Sequence, residues 1–391
     1  MRLIGRDIDM GIVYPTIKAH PYASVIQAAQ KLRRTTRLDQ RMFSGGWSLP
    51  PSLVTLEITH RCNLRCTTCW LWGSGGRYTA GGQAEVKSEM SIDQVKRLID
   101  DIAWFRPYFL LTGGEPLLYR GIEEVVRYAT GRGLIVGMIT NGMLGAEKLE
   151  SVMDGGLSFL TVSMDSADAQ THDLVRRRAG SHENCLRALD AVARRRAGRR
   201  QPIVTINLTV SDQNFCNLSG MADRALQAGA DILQITHQWF SDAQTSAAYS
   251  RWASENLGLQ SNHIATFETG AATSVDGAVL FDQIRETRRR ARLPVRVVPD
   301  LSLEDTVTYY SGMSEVGSRC CVSPWYAILI KPDGDAVPCI DYPVGNVTET
   351  PFRRMWNSSE MRLFRRKLRE QRHFPGCTRC CGFFEGEIAD Q

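Results

Sequence analysis

The stretch Leu53-Val54-Thr55-Leu56-Glu57-Ile58-Thr59-His60-Arg61-Cys62-Asn63-Leu64-Arg65-Cys66-Thr67-Thr68-Cys69-Trp70 sets the frame for the whole chain. Its first seven residues read as a strand. Val54, Leu56 and Ile58 fall on one side of it, and Thr55, Glu57 and Thr59 on the other. Turning the apolar side towards outer helices places Glu57 inside. A buried carboxylate needs a partner there, so Glu57 is either part of a polar network or a substrate contact. The strand runs directly into Cys62, Cys66 and Cys69, spaced C-x3-C-x2-C.

Three thiolates on a short loop can ligate three irons of a [4Fe–4S] cube and leave the fourth iron without a protein ligand. Zinc is the competing reading. A structural zinc site is closed by four ligands, and His60 lies too close to Cys62 to complete a tetrahedron easily.

Outward from this loop, strand-like and helix-like patterns alternate. Strands are expected at 53–59, 108–112, 134–139, 157–163, 202–208 and 230–236. Helices are expected at 91–104, 120–132, 145–155, 169–196 and 214–228, with Ser91 and Asp212 as cap-type starts. Six such alternations predict an α/β fold, a partial (β/α)6 parallel barrel. Functional loops of such barrels gather at the C-terminal strand ends. The Cys62–Cys69 loop, Gly113–Glu115, Asn141, Ser163–Asp165 and His237 all follow strand ends. Residues 1–50 read as an N-terminal extension with a helical stretch from Ala23 to Arg34, and 51–240 as the barrel. Residues 241–317, with a helix at 276–292 and a strand at 295–298, read as a connecting segment that covers the barrel mouth.

Residues 318–391 hold a second cysteine group. Cys320 and Cys321 precede Ala327–Val337, which reads as a β-hairpin turning at Asp333-Gly334; Cys339 follows it. A helix from Ser358 to Arg372 then delivers Cys377, Cys380 and Cys381. Four of these thiolates would close a site around zinc or a fully ligated [4Fe–4S] cluster. Asp335 and Asp341 flank the hairpin, as turn residues or as a proton acceptor near that site.

Composition narrows the function classes. The chain has 391 residues, 43% hydrophobic and 23% charged, with a net charge of +5. It has no run of 18 apolar residues to span a membrane, and its first residues lack the apolar core of a secretion signal. The expected location is the cytoplasm. Eleven cysteines then indicate metal or redox sites rather than disulfides, with the isolated Cys185 and Cys216 read as small buried hydrophobes. The basic runs Arg176–Arg178, Arg194–Arg196 with Arg199 and Arg200, Arg288–Arg290 and Arg362–Arg372 read as solvated helix faces. They have little aromatic interleaving, so no nucleic-acid binding is expected.

The cysteine loop resembles that of radical S-adenosylmethionine (SAM) enzymes. Leu110-Leu111-Thr112-Gly113-Gly114-Glu115-Pro116 is similar to the family's methionine-binding turn. Ile139-Thr140-Asn141-Gly142 and Val162-Ser163-Met164-Asp165 are similar to its later strand ends. The likeness covers roughly residues 50–240. A second covers 318–381, where Cys321, Gly334, Cys339, Gly345-Asn346-Val347 and Trp356-Asn357 resemble the auxiliary-cluster domain called SPASM or, when shortened, twitch.

The resemblance implies that SAM chelates the open iron and is cleaved reductively to a 5′-deoxyadenosyl radical, which abstracts hydrogen from substrate. It implies SAM contacts from Gly113, Gly114, Glu115, Asn141, Ser163 and Arg176, the last as partner of the SAM carboxylate. His237 and Trp239 contact adenine or substrate, unless His237 is a packed core residue. One auxiliary [4Fe–4S] cluster is implied, held by Cys321, Cys339, Cys377 and Cys380, with Cys320 and Cys381 as neighbouring alternatives. The expected enzyme acts on a small-molecule or natural-product intermediate, with net oxidation through the auxiliary cluster and a flavodoxin or ferredoxin as reductant. The alternatives are a maturase modifying a ribosomally made peptide and a non-catalytic electron carrier.

Overall fold

The alternation that begins at Leu53 becomes one open, mostly parallel sheet in the computed structural model. The structure describes residues 2–3, 6–7, 32–33, 36–79, 89–197, 201–260, 263–268, 274–316, 319–340 and 342–385. Apart from the helical Leu32 and Arg33, the stretch expected to be helical at 23–34 lies outside the described residues, as does Asp341.

The strands are β1 (Leu53–Thr59), β2 (Tyr108–Gly113), β3 (Ile135–Thr140), β4 (Phe159–Ser163), β5 (Ile203–Thr209), β6 (Ile232–Thr236), β7 (Val295–Val298), β8 (Ala327–Ile330) and β9 (Ala336–Val337). Their order is β9-β8-β1-β2-β3-β4-β5-β6-β7. Every pair is parallel except β8 with β9. The six strands expected from periodicity are thus consecutive neighbours in an unclosed barrel. The sheet also continues past them at both edges. Beyond β6 it gains β7 from the connecting segment, and beside β1 it gains the C-terminal hairpin.

The helices relevant here are α1 (Ile92–Ile102), α2 (Ile122–Gly131), α3 (Ala146–Asp154), α4 (Ala169–Arg176), α5 (Ser181–Arg196), α6 (Met221–Gln227), α7 (Ala243–Leu257), α8 (Gly277–Arg290), α9 (Leu303–Ser311) and α10 (Ser359–Gln371). Helix α1 starts where Ser91 accepts from Gln94 N and the Gln94 side chain returns to Ser91 N. Such a reciprocal cap stabilises a helix end by about 1 kcal/mol. Val95, Leu98, Ile99 and Ile102 then join Val54, Leu56 and Ile58 in one core, each contributing roughly 1.5–3 kcal/mol by leaving water. Their burial leaves Glu57 on the inner side of β1.

The helix expected over 169–196 is two. Arg177 closes α4 in the left-handed region and Gly180 opens α5 there. Asp173 fixes the break by accepting from Gly180 N, Ser181 Oγ and His182 N. The helix expected from 214 begins only at Met221, because Asn214 is committed to the carbonyls of Asp165 and Thr209. Helices α7 and α9, which the sequence pattern left unassigned, belong to the connecting segment.

The basic runs divide. Arg194, Arg195 and Arg196 pair with Asp190, Asp154 and Asp231, and Arg288, Arg289 and Arg290 with Asp300 and Glu286; these are solvated ion-pair faces. The run on α10 is not one. Arg365 is fully buried and donates to Pro324 O and Gly46 O. Arg366 and Arg369 reach the carbonyls of Gly45, Phe43 and Ser44. Irregular backbone at 43–46 leaves carbonyls that need donors, and α10 supplies them. Cys185 is buried as expected, whereas Cys216 is exposed in the loop before α6. Among the described residues, no helix is long and apolar enough to cross a membrane.

Candidate active site

The first cysteine loop leaves the end of β1 and is gripped by the turn after β2. Gly114 N donates to Thr59 O at 2.7 Å and Glu115 N to Arg61 O at 2.8 Å. Gly113 sits at φ +126°, and a Cβ on it would lie 2.2 Å from Thr59 O at the end of β1, as one on Gly114 would from Arg61 O in the loop. Both positions therefore require glycine, and the space that they vacate is filled by the end of β1 and the cysteine loop.

Glu115 ties this turn to the next strand end. It is fully buried; Oε1 accepts from Thr140 Oγ1 at 2.8 Å and from Leu117 N at 3.1 Å, and Oε2 from Asn141 N at 2.8 Å. Burial pushes its carboxyl upward against these three donors. The Asn141 side chain donates to Asn63 Oδ1 at 2.8 Å and approaches Cys62 Sγ at 3.8 Å. Three segments distant in sequence meet at one cysteine.

Each thiol of the loop has an N–H group close to its sulfur. Leu64 N points at Cys62 Sγ and Trp72 N at Cys69 Sγ, both at 3.4 Å, and Arg176 Nη1 at Cys66 Sγ at 3.6 Å. N–H donors aimed at sulfur suit thiolates bound to iron. Burial pushes the free Cys62 thiol up to about 11 and raises Cys69 as well. A thiolate here needs a metal's positive charge to persist. The donor set fits an iron–sulfur cube with one open corner.

Arg176 meets a carboxylate of its own chain, Asp165, at 2.7 Å. The Ser163 carbonyl accepts from Cys185 Sγ at 3.9 Å, and Ser163 pairs across the sheet with Asn207. His237 is a packed core histidine: it is buried, bonded through Nδ1 to Tyr310 at 2.9 Å and set against Tyr309 and Tyr310. Burial lowers it to about 4. Asp335 is a turn residue bonded to Asn346 at 3.0 Å.

The second cysteine group converges. Cys321, Cys339, Cys377 and Cys380 line one cavity of about 290 Å³ together with Glu57, Trp70, Trp239 and Phe267. Cys320 packs away from it with Val322 and Tyr326, and the exposed Cys381 is off its wall. Phe374 N donates to Cys377 Sγ at 3.3 Å. Burial raises the Cys377 thiol to about 11, so the same metal argument applies. Four thiols with no open corner suit a fully ligated cluster.

A second cavity, about 520 Å³, lies beside Cys69 and is lined by polar groups that include Thr68, Arg177, Gln213 and Gln238. The two cavities share Trp70, Trp239 and Phe267. Phe267 stacks on Trp239 at 4.0 Å and on Trp70 at 5.7 Å. Glu57 reaches the first cavity with its Oε2 held by His60 Nε2 at 2.9 Å, and His60 Nδ1 meets Tyr78.

Several of these residues carried no motif. Phe267 and Tyr78 carry no local signal in the sequence, and His60 is legible there only as a candidate ligand beside Cys62. Asp165 stood in a quoted motif; the signal was a charged residue closing an apolar strand.

Comparison with known proteins follows the same division. The radical SAM superfamily model matches residues 56–225, and that of an iron–sulfur cluster-binding domain, SPASM, matches 320–381. An AdoMet-dependent heme synthase of Methanosarcina barkeri is 29% identical over 346 residues, covering 85% of this chain and 89% of that protein. A PqqA peptide cyclase of Rhodopseudomonas palustris is 29% identical over 293 residues, covering 74% and 67%. Among solved structures, Streptococcus suis SuiB bound to its precursor peptide SuiA superposes with a TM-score of 0.58 at 13% identity, covering 88% of this chain and 71% of that one. That likeness is one of fold.

Proposed function

We propose that this chain, which belongs to the radical SAM superfamily and carries a SPASM domain, abstracts hydrogen from a small-molecule or natural-product substrate seated between its two cysteine groups. The observation that carries this reading is the wall of Trp70, Phe267 and Trp239, which borders the cavity beside Cys69 and the cavity of Cys321, Cys339, Cys377 and Cys380. A substrate against that wall is within reach of both centres.

SAM on a [4Fe–4S] cluster supplies a 5′-deoxyadenosyl radical, and the auxiliary cluster can supply an electron acceptor. The protein supplies position. Cys62, Cys66 and Cys69 hold the open cluster, and Cys321, Cys339, Cys377 and Cys380 the auxiliary one. The Gly113-Gly114-Glu115 turn would offer its backbone to the methionyl part of SAM, with Asn141 and Ser163 beside it, while the buried Glu115 carboxylate holds the turn to the end of β3. Glu57 offers an acceptor to substrate N–H or O–H groups in an otherwise apolar cavity. The aromatic wall excludes water from the radical. A flavodoxin- or ferredoxin-type reductant would serve such an enzyme in the cytoplasm.

The second reading is a peptide maturase. It is favoured by the relatives whose names specify a peptide, the PqqA peptide cyclases. Incubation with SAM and a reductant, with low-mass or peptide fractions of a cell extract added, separates the two. Deoxyadenosine release stimulated by the low-mass fraction supports the first reading; stimulation by peptides alone replaces it with the second. No deoxyadenosine under any condition would leave an electron carrier.

A further inference from the structure

The guanidinium of Arg176 is shared between two buried partners. Nη1 donates to Cys66 Sγ at 3.6 Å, and Nε lies 2.7 Å from Asp165 Oδ2. Asp165 is 1% exposed and is itself held in place. Its Oδ1 accepts from Thr209 N at 3.1 Å, its N–H donates to His172 Nδ1 at 3.2 Å, and its carbonyl accepts from Asn214 Nδ2 at 3.0 Å. Helix α4, which carries Arg176, is docked on the cysteine loop by Thr67 N to Val175 O at 2.8 Å.

This arrangement singles out one cysteine of three. The donors to Cys62 and Cys69 are neutral amides, those of Leu64, Asn141 and Trp72. Cys66 receives a charged donor, the guanidinium of Arg176. A charged donor makes roughly twice as strong a hydrogen bond as a neutral one. Hydrogen bonds to sulfur and local charge are levers by which a protein sets a cluster's reduction potential.

We infer that Arg176, held by Asp165, tunes the cluster of Cys62, Cys66 and Cys69, raising the potential at which it accepts an electron. The role rests on the reading of those three cysteines as cluster ligands. It assigns Arg176 to the cluster's sulfur rather than to the SAM carboxylate. The Arg–Asp pair is neutral overall, but the cation is the member that touches sulfur. Removing each partner should therefore move the potential in opposite directions.

The test is a redox titration of the SAM-free cluster, followed by electron paramagnetic resonance, on anaerobically reconstituted wild type, Arg176→Gln, Arg176→Lys and Asp165→Asn. Iron content is counted for each. Arg176→Gln should lower the reduction equilibrium by about tenfold, or about 59 mV for one electron. Arg176→Lys should fall between it and wild type, and Asp165→Asn should shift upward. If Arg176→Gln loses iron, the Lys and Asn variants decide the direction. Potentials unchanged, or shifted the same way by both removals, would overturn the inference, and a loss of SAM affinity alone would return Arg176 to the SAM carboxylate. Wild type without the first cluster would overturn the underlying reading as well, whatever the variants did.

Discussion

Glu57 Oε2 and His60 Nε2 stand 2.9 Å apart inside the barrel, three residues apart in sequence, and both are buried. The pair forms because β1 ends between them, letting the chain turn His60 back along the inner face. Glu57→Ala should destabilise the protein by about 2 kcal/mol, since it leaves the His60 nitrogen buried and unpaired. Urea unfolding under anaerobic conditions measures this. SAM cleavage to deoxyadenosine should persist in the same variant, because Glu57 lies on the wall of the second cysteine group.

Gly114→Ala places a methyl group 2.2 Å from Arg61 O, a backbone atom that cannot swing aside. The cysteine loop must move instead. The expected outcome is loss of the first cluster with retention of the second, read as a fall from about eight irons to about four.

Like the buried His172, His237 carries a marked acid sensitivity. Its folded value is about 4, lowered by burial, against about 6.5 unfolded. The folded state therefore binds fewer protons, and the stability present above pH 6.5 is lost as pH falls towards 4. Between pH 7 and pH 5, wild type should lose roughly 2 kcal/mol relative to His237→Gln. Unfolding free energies of the two proteins at both pH values check the difference; a constant gap would refute it.

The doubled cysteines should behave asymmetrically. Cys321→Ala and Cys380→Ala remove groups on the cavity wall and should abolish the auxiliary cluster. Cys320→Ala and Cys381→Ala should retain it. Iron content and the visible absorption of each reconstituted variant distinguish them.

The parts of the site that were legible in the sequence are those encoded over a few residues. Strand periodicity located β1 to its ends, and the spacing of Cys62, Cys66 and Cys69 carried its chemistry directly. Contacts between distant segments were not legible. The run Ala327-Ile328-Leu329-Ile330 reads as one arm of a hairpin, yet it pairs in parallel with β1 from Leu53 to Leu56. Its lack of alternation is the available signal, because a strand inside a parallel sheet is apolar on both sides. The break between α4 and α5 hinges on left-handed backbone at Arg177 and Gly180, where a run of helix-forming arginines masks the stop. Arg365 looked like part of a solvated charge run because nothing local marks the carbonyls of residues 43–46, which draw α10 inward. Phe267 lies far from any motif and reaches the site only through the fold.

The central claim is that the chain holds two iron–sulfur clusters, one at Cys62, Cys66 and Cys69 and one at Cys321, Cys339, Cys377 and Cys380. Iron counting after anaerobic reconstitution of wild type and a Cys62/Cys66/Cys69→Ala variant tests it most directly. The account predicts about eight irons falling to about four; about four in wild type would contradict it.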